Sequence, residues 1–101
     1  MKGSTPTKAE KELWNKIAAI GCIACLHDGR NNSQVSIHHI DGRTKSGAHR
    51  KVLPLCAEHH QQNDLDPLGR VGVHPYKARF EQQYGSQYDL LKEVYSMIGE
   101  A

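Results

Sequence analysis

Two short pairings, Cys22-Ile23-Ala24-Cys25 and Cys56-Ala57-Glu58-His59, restrict what this chain can fold into more than any other feature. Two ligands separated by two residues in a tight turn can reach one ion without strain. Together the pairs offer three thiolates and an imidazole, the donor complement of a closed tetrahedral zinc site. Zinc suits the set because it accepts soft sulfur and borderline nitrogen in a tetrahedron. The main rival is a redox Cys-x-x-Cys, which usually sits at the start of a helix after a strand. Here the motif follows a helical stretch and a second cysteine-histidine pair matches it, so zinc is the preferred reading. Unliganded buried cysteine is common singly but does not account for all three. Four protein ligands leave the ion no open position, so its expected role is folding.

The rest of the composition asks for such a staple. Of 101 residues 38% are hydrophobic, with one Trp and one Phe. That is a thin supply for a core, and small polar domains often depend on a metal or on disulfides. Three cysteines are an odd count, which argues against a closed disulfide framework. The start, Met1-Lys2-Gly3-Ser4-Thr5-Pro6, leads into a polar amphipathic segment without a signal-peptide pattern. No apolar run approaches a membrane span. The expectation is a cytosolic protein with reduced thiols available to a metal.

The pattern along the chain predicts a flexible tail over 1–6 and a single domain over 7–101. Thr7 and Glu10 resemble a capping box, followed by a helix over 7–20 packed through Leu13, Trp14 and Ile17. A knuckle and loop span 21–34. A short strand is expected over 34–40, a Gly-rich turn over 41–48, and a second strand over 51–55 that Pro54 marks as an edge or terminating strand. Cys56 to Gln62 suits a short helix, and 63–72 a loop. Pro75 fits the first turn of another helix ending at Gly85, and Ser86 with Asp89 opens a last helix over Leu90, Leu91, Val94, Tyr95 and Ile98. The fold class is therefore α+β.

Histidines carry the second signal. His38-His39 ends the first strand, His60 follows His59, and His74 precedes Pro75. Successive helix residues point about 100° apart, so His59 can face the zinc while His60 faces away into a cleft. If strand and helix pack face to face, His38 and His60 meet and His74 joins through the loop. That is a three-histidine set with open positions, as a hydrolytic metal needs. His39 is then free to act as a general base, since an ordinary imidazole pKa near ~6.5 suits proton abstraction at neutral pH. Neighbours on a regular strand point to opposite faces, so both histidines serve one site only if the strand ends or bulges there. Between Gly42 and Lys51 lie Arg43, Lys45, Arg50 and Lys51 with His49 and no acid. They form either a solvated loop or a strip that contacts phosphates. Formal net charge is only +2, so the cluster and not the total suggests DNA.

In combination, Cys-x-x-Cys, His-His and Val-x-Pro-Leu-Cys-x-x-His-His resemble the HNH, or ββα-metal, nuclease superfamily. More narrowly, Ile37-His38-His39-Ile40, Gly47-Ala48-His49-Arg50, Leu53-Pro54-Leu55-Cys56, His59-His60-Gln61 and Phe80-Glu81-Gln82-Gln83-Tyr84-Gly85 resemble the phage Ref-like, RecA-dependent HNH nucleases, from about Trp14 to Ile98. The resemblance implies a zinc-stapled ββα core with an N-terminal helix and two C-terminal helices. It also implies DNA phosphodiester hydrolysis in a bacterial or phage-infected cell, with a RecA filament as a candidate partner. By position it makes His39 the residue that activates water. His38 and His60 become ligands of one divalent catalytic ion, Mg²⁺, Mn²⁺ or Zn²⁺. The third ligand is His74, with Asp64 the fallback. Where the family has its central Asn, which helps hold the base, this chain has Lys51. His49 either takes over that holding role or contacts a phosphate. The alternative to an enzyme is a zinc module that binds DNA or protein without catalysis. One metal per chain favours the module and two favour the nuclease. A thiol redox protein is the weaker third reading.

Overall fold

The computed structural model describes residues 5–61 and 69–99, and the chain forms a small α+β domain. Helix α1 spans Lys8–Ala19 and begins with the capping box read from the sequence: Glu10 N donates to Thr7 Oγ1 at 3.1 Å and Thr7 N to Glu10 Oε1 at 2.9 Å. Leu13 and Ile17 are its buried stripe. The chain then turns at Gly21, whose φ of +85° and whose position against Asn32 O leave no room for a side chain; a Cβ there would lie 2.8 Å from that oxygen. The expected knuckle contains a short helix, α2 (Ile23–His27), with Cys22 as its cap.

Strands β1 (Ser36–His39) and β2 (Val52–Leu55) pair antiparallel, with His38 opposite Leu53 and His39 opposite Val52. Both are shorter than the sequence reading, and Lys51 lies outside β2. Pro54 sits inside β2, which a two-stranded sheet tolerates because every strand has a free edge. A 3-10 turn over Ala48–Arg50 occupies the end of the Gly-rich connection. Helix α3 (Ala57–His60) follows β2 after Cys56 alone, so two strands and a helix succeed one another around the third cysteine.

Helices α4 (Lys77–Tyr84) and α5 (Gln87–Met97) complete the chain, and Ser86 caps α5 by accepting from Asp89 N. The expectation that Pro75 occupies the first helical turn is corrected: α4 starts at Lys77 with Tyr76 as its cap. A bond from Tyr76 N to Gly72 O closes a separate turn before it. Phe80, Leu90 and Val94 from these helices are sealed against Ile17, Ile23, Val52, Leu53 and Leu55 in one core, into which Cys22, Cys25 and Cys56 are built. Among the described residues no helix is long and apolar enough to cross a membrane.

Candidate metal centres and the paired histidines

The two cysteine-bearing turns meet in the core. Cys22 caps α2 and Cys25 sits in its first turn, while Cys56 caps α3 and His59 lies one turn on. All four are essentially without solvent exposure. The Cys25 and Cys56 sulfurs are 3.7 Å apart, and His59 Nδ1 lies 3.4, 3.4 and 3.2 Å from the sulfurs of Cys22, Cys25 and Cys56. A tetrahedral zinc with ordinary bond lengths would separate two sulfurs by about 3.8 Å and a sulfur from a nitrogen by about 3.6 Å. The donors therefore fit zinc in type and in spacing. Burial pushes the Cys22 thiol up to about 12 and also raises Cys25. Three thiolates in this space require a cation to neutralise them.

The far side of His59 is equally determined. Its Nε2 lies 2.9 Å from Tyr84 Oη and 3.3 Å from Asp28 Oδ2. The Tyr84 hydroxyl donates to Asp28 Oδ2 at 2.8 Å, and Gln83 Nε2 donates to the same hydroxyl at 3.1 Å. A proton on Nε2 leaves Nδ1 unprotonated toward the sulfurs, the tautomer a metal requires. Burial lowers the His59 pKa, against a raising influence of Asp28, and so favours the neutral ring. Burial and the bond to Asp28 raise that of Tyr84, so its hydroxyl keeps its proton.

On the opposite side of α3 a second set converges. The rings of His38 and His60 are 4.9 Å apart, those of His38 and His74 5.3 Å, and those of His60 and His74 5.7 Å between centroids. One donor atom from each lies within 4.8 Å of the others, so these residues could hold one ion. The 100° step along α3 separates His59 from His60. His74 arrives because the segment after the loop pairs with the end of α3: Val73 N donates to His59 O at 2.8 Å and His74 N to His60 O at 3.1 Å. These bonds satisfy carbonyls that a four-residue helix would otherwise leave open. His38 is buried, His60 half-buried and His74 exposed, so the cluster opens to solvent on one side. Burial, reinforced by the other histidines, lowers the pKa of His38 to about 4 and also lowers that of His60, which keeps both rings neutral and able to ligate. The fallback ligand Asp64 lies outside the described residues.

His39 is the last residue of β1 and meets a different set of side chains from His38. Its Nε2 is 3.0 Å from His49 Nδ1, and Trp14 packs edge-on against both rings while donating from Nε1 to His49 O at 2.7 Å. The strand ends at His39, and the turn at Gly42, φ +78°, follows. Burial, then Arg43 and His49, lower the His39 pKa to about 4. Arg43 and Lys45 are exposed on the connecting loop. Arg50 is part of the 3-10 turn with its guanidinium 3.8 Å from Glu10, and Lys51 is half-buried. The four basic residues thus lie along the stretch that joins β1 to β2, with Arg43 acting on His39, and differ in exposure.

Sequence reasoning missed the polar partners. Asp28 and Tyr84 behind His59, Ser36 against His60 and Gln87 against His38 carried no spacing signal, because each reaches its histidine from a separate element. The Phe80–Gly85 stretch was the one available clue: Phe80 is core, Glu81 accepts from Gln87 N, and Tyr84 braces His59.

The model of the family described as recombination enhancement, RecA-dependent nuclease matches residues 6–99, nearly the whole chain. With a Cys₃His pocket that can bind a metal such as zinc, and that match running across every element described above, the chain belongs to the recombination enhancement, RecA-dependent nuclease family.

Proposed function

We propose that this protein is a metal-dependent endodeoxyribonuclease with an HNH-type ββα-metal site, acting in the cytoplasm on DNA associated with a RecA filament. The observation that carries this reading is the convergence of His38, His60 and His74 on one point, open to solvent, with His39 next along the strand. A divalent ion bound there would supply Lewis-acid neutralisation of the charge that grows on the scissile phosphate.

His39 is the general base. With Nε2 held at His49, the nitrogen left for water is Nδ1. For Nδ1 to accept a proton, His39 Nε2–H must donate to an unprotonated His49 Nδ1. That arrangement survives when His39 becomes imidazolium, because the same N–H is still donated. His49 is thus a positioning residue and takes over the holding role. Trp14 fixes the backbone of His49 and walls off one side of the pair. The lowered His39 pKa keeps the base unprotonated at neutral pH. Arg43, Lys45, Arg50 and Lys51 hold neighbouring phosphates, which orients the strand without reading its sequence. The Cys22, Cys25, Cys56 and His59 pocket takes structural zinc and stays out of the chemistry.

The test is nicking of supercoiled plasmid by His39→Ala, with and without a RecA-coated strand. The expected result is loss of roughly 10²–10⁴-fold in rate with fold and zinc content intact, the usual contribution of a positioned base. Undiminished cleavage would refute the assignment. Two metal equivalents per chain are expected, whereas a single equivalent would support a non-catalytic zinc module.

A further inference from the structure

We infer that Gln87 is a positioning residue for the open metal site: it fixes the His38 tautomer, so that His38 ligates through Nδ1 while His60 ligates through Nε2. The inference rests on the three-histidine metal reading above and deepens it.

Gln87 is 2% exposed, and its Oε1 lies 2.6 Å from His38 Nε2. An amide oxygen only accepts, so a bond this short requires the proton on His38 Nε2. Nδ1 then carries the lone pair. A buried glutamine needs a reason to be there, since an amide left unpaired in a core loses its hydrogen bonds to water with nothing in return. Gln87 is also held from its backbone: its N–H donates to Glu81 Oε2 at 3.0 Å, and it is the first residue of α5, behind the Ser86 cap. The side chain therefore enters the site from a fixed helix end. Ser36 Oγ stands 3.0 Å from His60 Nδ1 and leaves Nε2 of that ring as the donor. Ser36 and His38 alternate onto the same face of β1, which explains why one strand reaches both rings. The two histidines thus present different nitrogens: the Gln87 oxygen selects the one on His38, and Ser36 occupies the far nitrogen of His60, as partners of metal-bound imidazoles commonly do.

The test compares wild type, Gln87→Met and Gln87→Glu, each with structural zinc in place. Methionine keeps length and helix compatibility but removes the acceptor. Glutamate restores an acceptor. Long-range ¹H–¹⁵N spectra of the imidazoles, first without and then with added Zn²⁺, give the protonated nitrogen of His38 directly. Wild type should show His38 protonated at Nε2, and added Zn²⁺ should shift Nδ1. Gln87→Met should mix the tautomers and weaken Zn²⁺ binding at the open site by roughly 10–100-fold. Gln87→Glu should recover both, and all three proteins should retain the structural ion and the same circular dichroism. A wild-type His38 unprotonated at Nε2, or a Gln87→Met protein with unchanged affinity, overturns the inference alone. A wild type that binds no second ion overturns the metal reading and this inference with it.

Discussion

Stripping the ion from the Cys₃His pocket should unfold the whole chain. The elements that supply the ligands are too short to stand alone: α2 has five residues, α3 has four, and the sheet consists of two four-residue strands. Isolated helices below ~12 residues and isolated hairpins are marginal in water. Binding of structural zinc in small domains is worth about 10–16 kcal/mol near neutral pH, whereas a domain of this size has about 5–15 kcal/mol of stability in total. Loss of the ion therefore removes as much as the fold possesses, or more. Burial that pushes Cys22 up to about 12 adds a proton dependence, since zinc must displace protons from thiols that resist ionising. The assay is a chelator titration followed at once by far-ultraviolet circular dichroism, Trp14 fluorescence and a chromogenic zinc count. Helical signal and one tightly held equivalent should disappear together, and readdition of zinc should restore both. A chain that keeps a cooperative thermal transition after the tight equivalent is gone would refute the reasoning.

Three further outcomes follow from individual contacts. Acid should destabilise the protein between about pH 6.5 and pH 4. His38 and His39 are held near 4 in the fold against 6.5 for the free residue, so in that window the unfolded chain binds more protons and stability falls as pH falls. The His38 shift alone amounts to about 3 kcal/mol once pH is below 4, and urea midpoints across pH 4–8 check it. Gly21→Ala should cost about 2 kcal/mol, a drop of roughly 10 °C in Tm, because alanine meets both the left-handed backbone and the Asn32 carbonyl; an unchanged melting curve would contradict this. Asp28→Ala should weaken zinc by about 10–100-fold in competition with a chromogenic chelator, by removing the acceptor behind His59 and Tyr84, with Asp28→Glu closer to wild type.

What could be read in the sequence was local chemistry. Cys-x-x-Cys and Cys-x-x-His announce a zinc pocket because the ligands are neighbours along the chain and the turn geometry does the rest. The Thr7–Glu10 box and the Ser86 cap are legible for the same reason. Strand limits were overextended, since Gln34 and Val35 continue the alternation while only Ser36–His39 finds partners on β2. Pro75 fits a helix start by its fixed φ, yet the preceding turn closed on Gly72 delays the helix to Lys77. Gln87, Asp28 and Tyr84 were illegible as partners of histidines. A glutamine at the start of an amphipathic helix looks solvated until tertiary packing buries it, and no periodicity encodes which distant ring its oxygen meets.

The two histidines of α3 explain why folding and chemistry cannot be tuned independently here. His59 completes the sulfur pocket, and the next residue, His60, faces His38 and His74. A four-residue helix has too few internal bonds to hold its own shape, so the ligands at one side of it define the orientation of the other. The backbone bonds from Val73 and His74 to the carbonyls of His59 and His60 extend the same dependence to the third histidine. Weakening the sulfur pocket should therefore loosen the open site before the core melts. A sulfur pocket weakened but still occupied, as in Asp28→Ala under excess zinc, should lower affinity at the three-histidine cluster while Phe80 and Leu90 remain packed. The position of His60 is inherited from the closed pocket through a single peptide unit, and that of His74 through its bond to the His60 carbonyl.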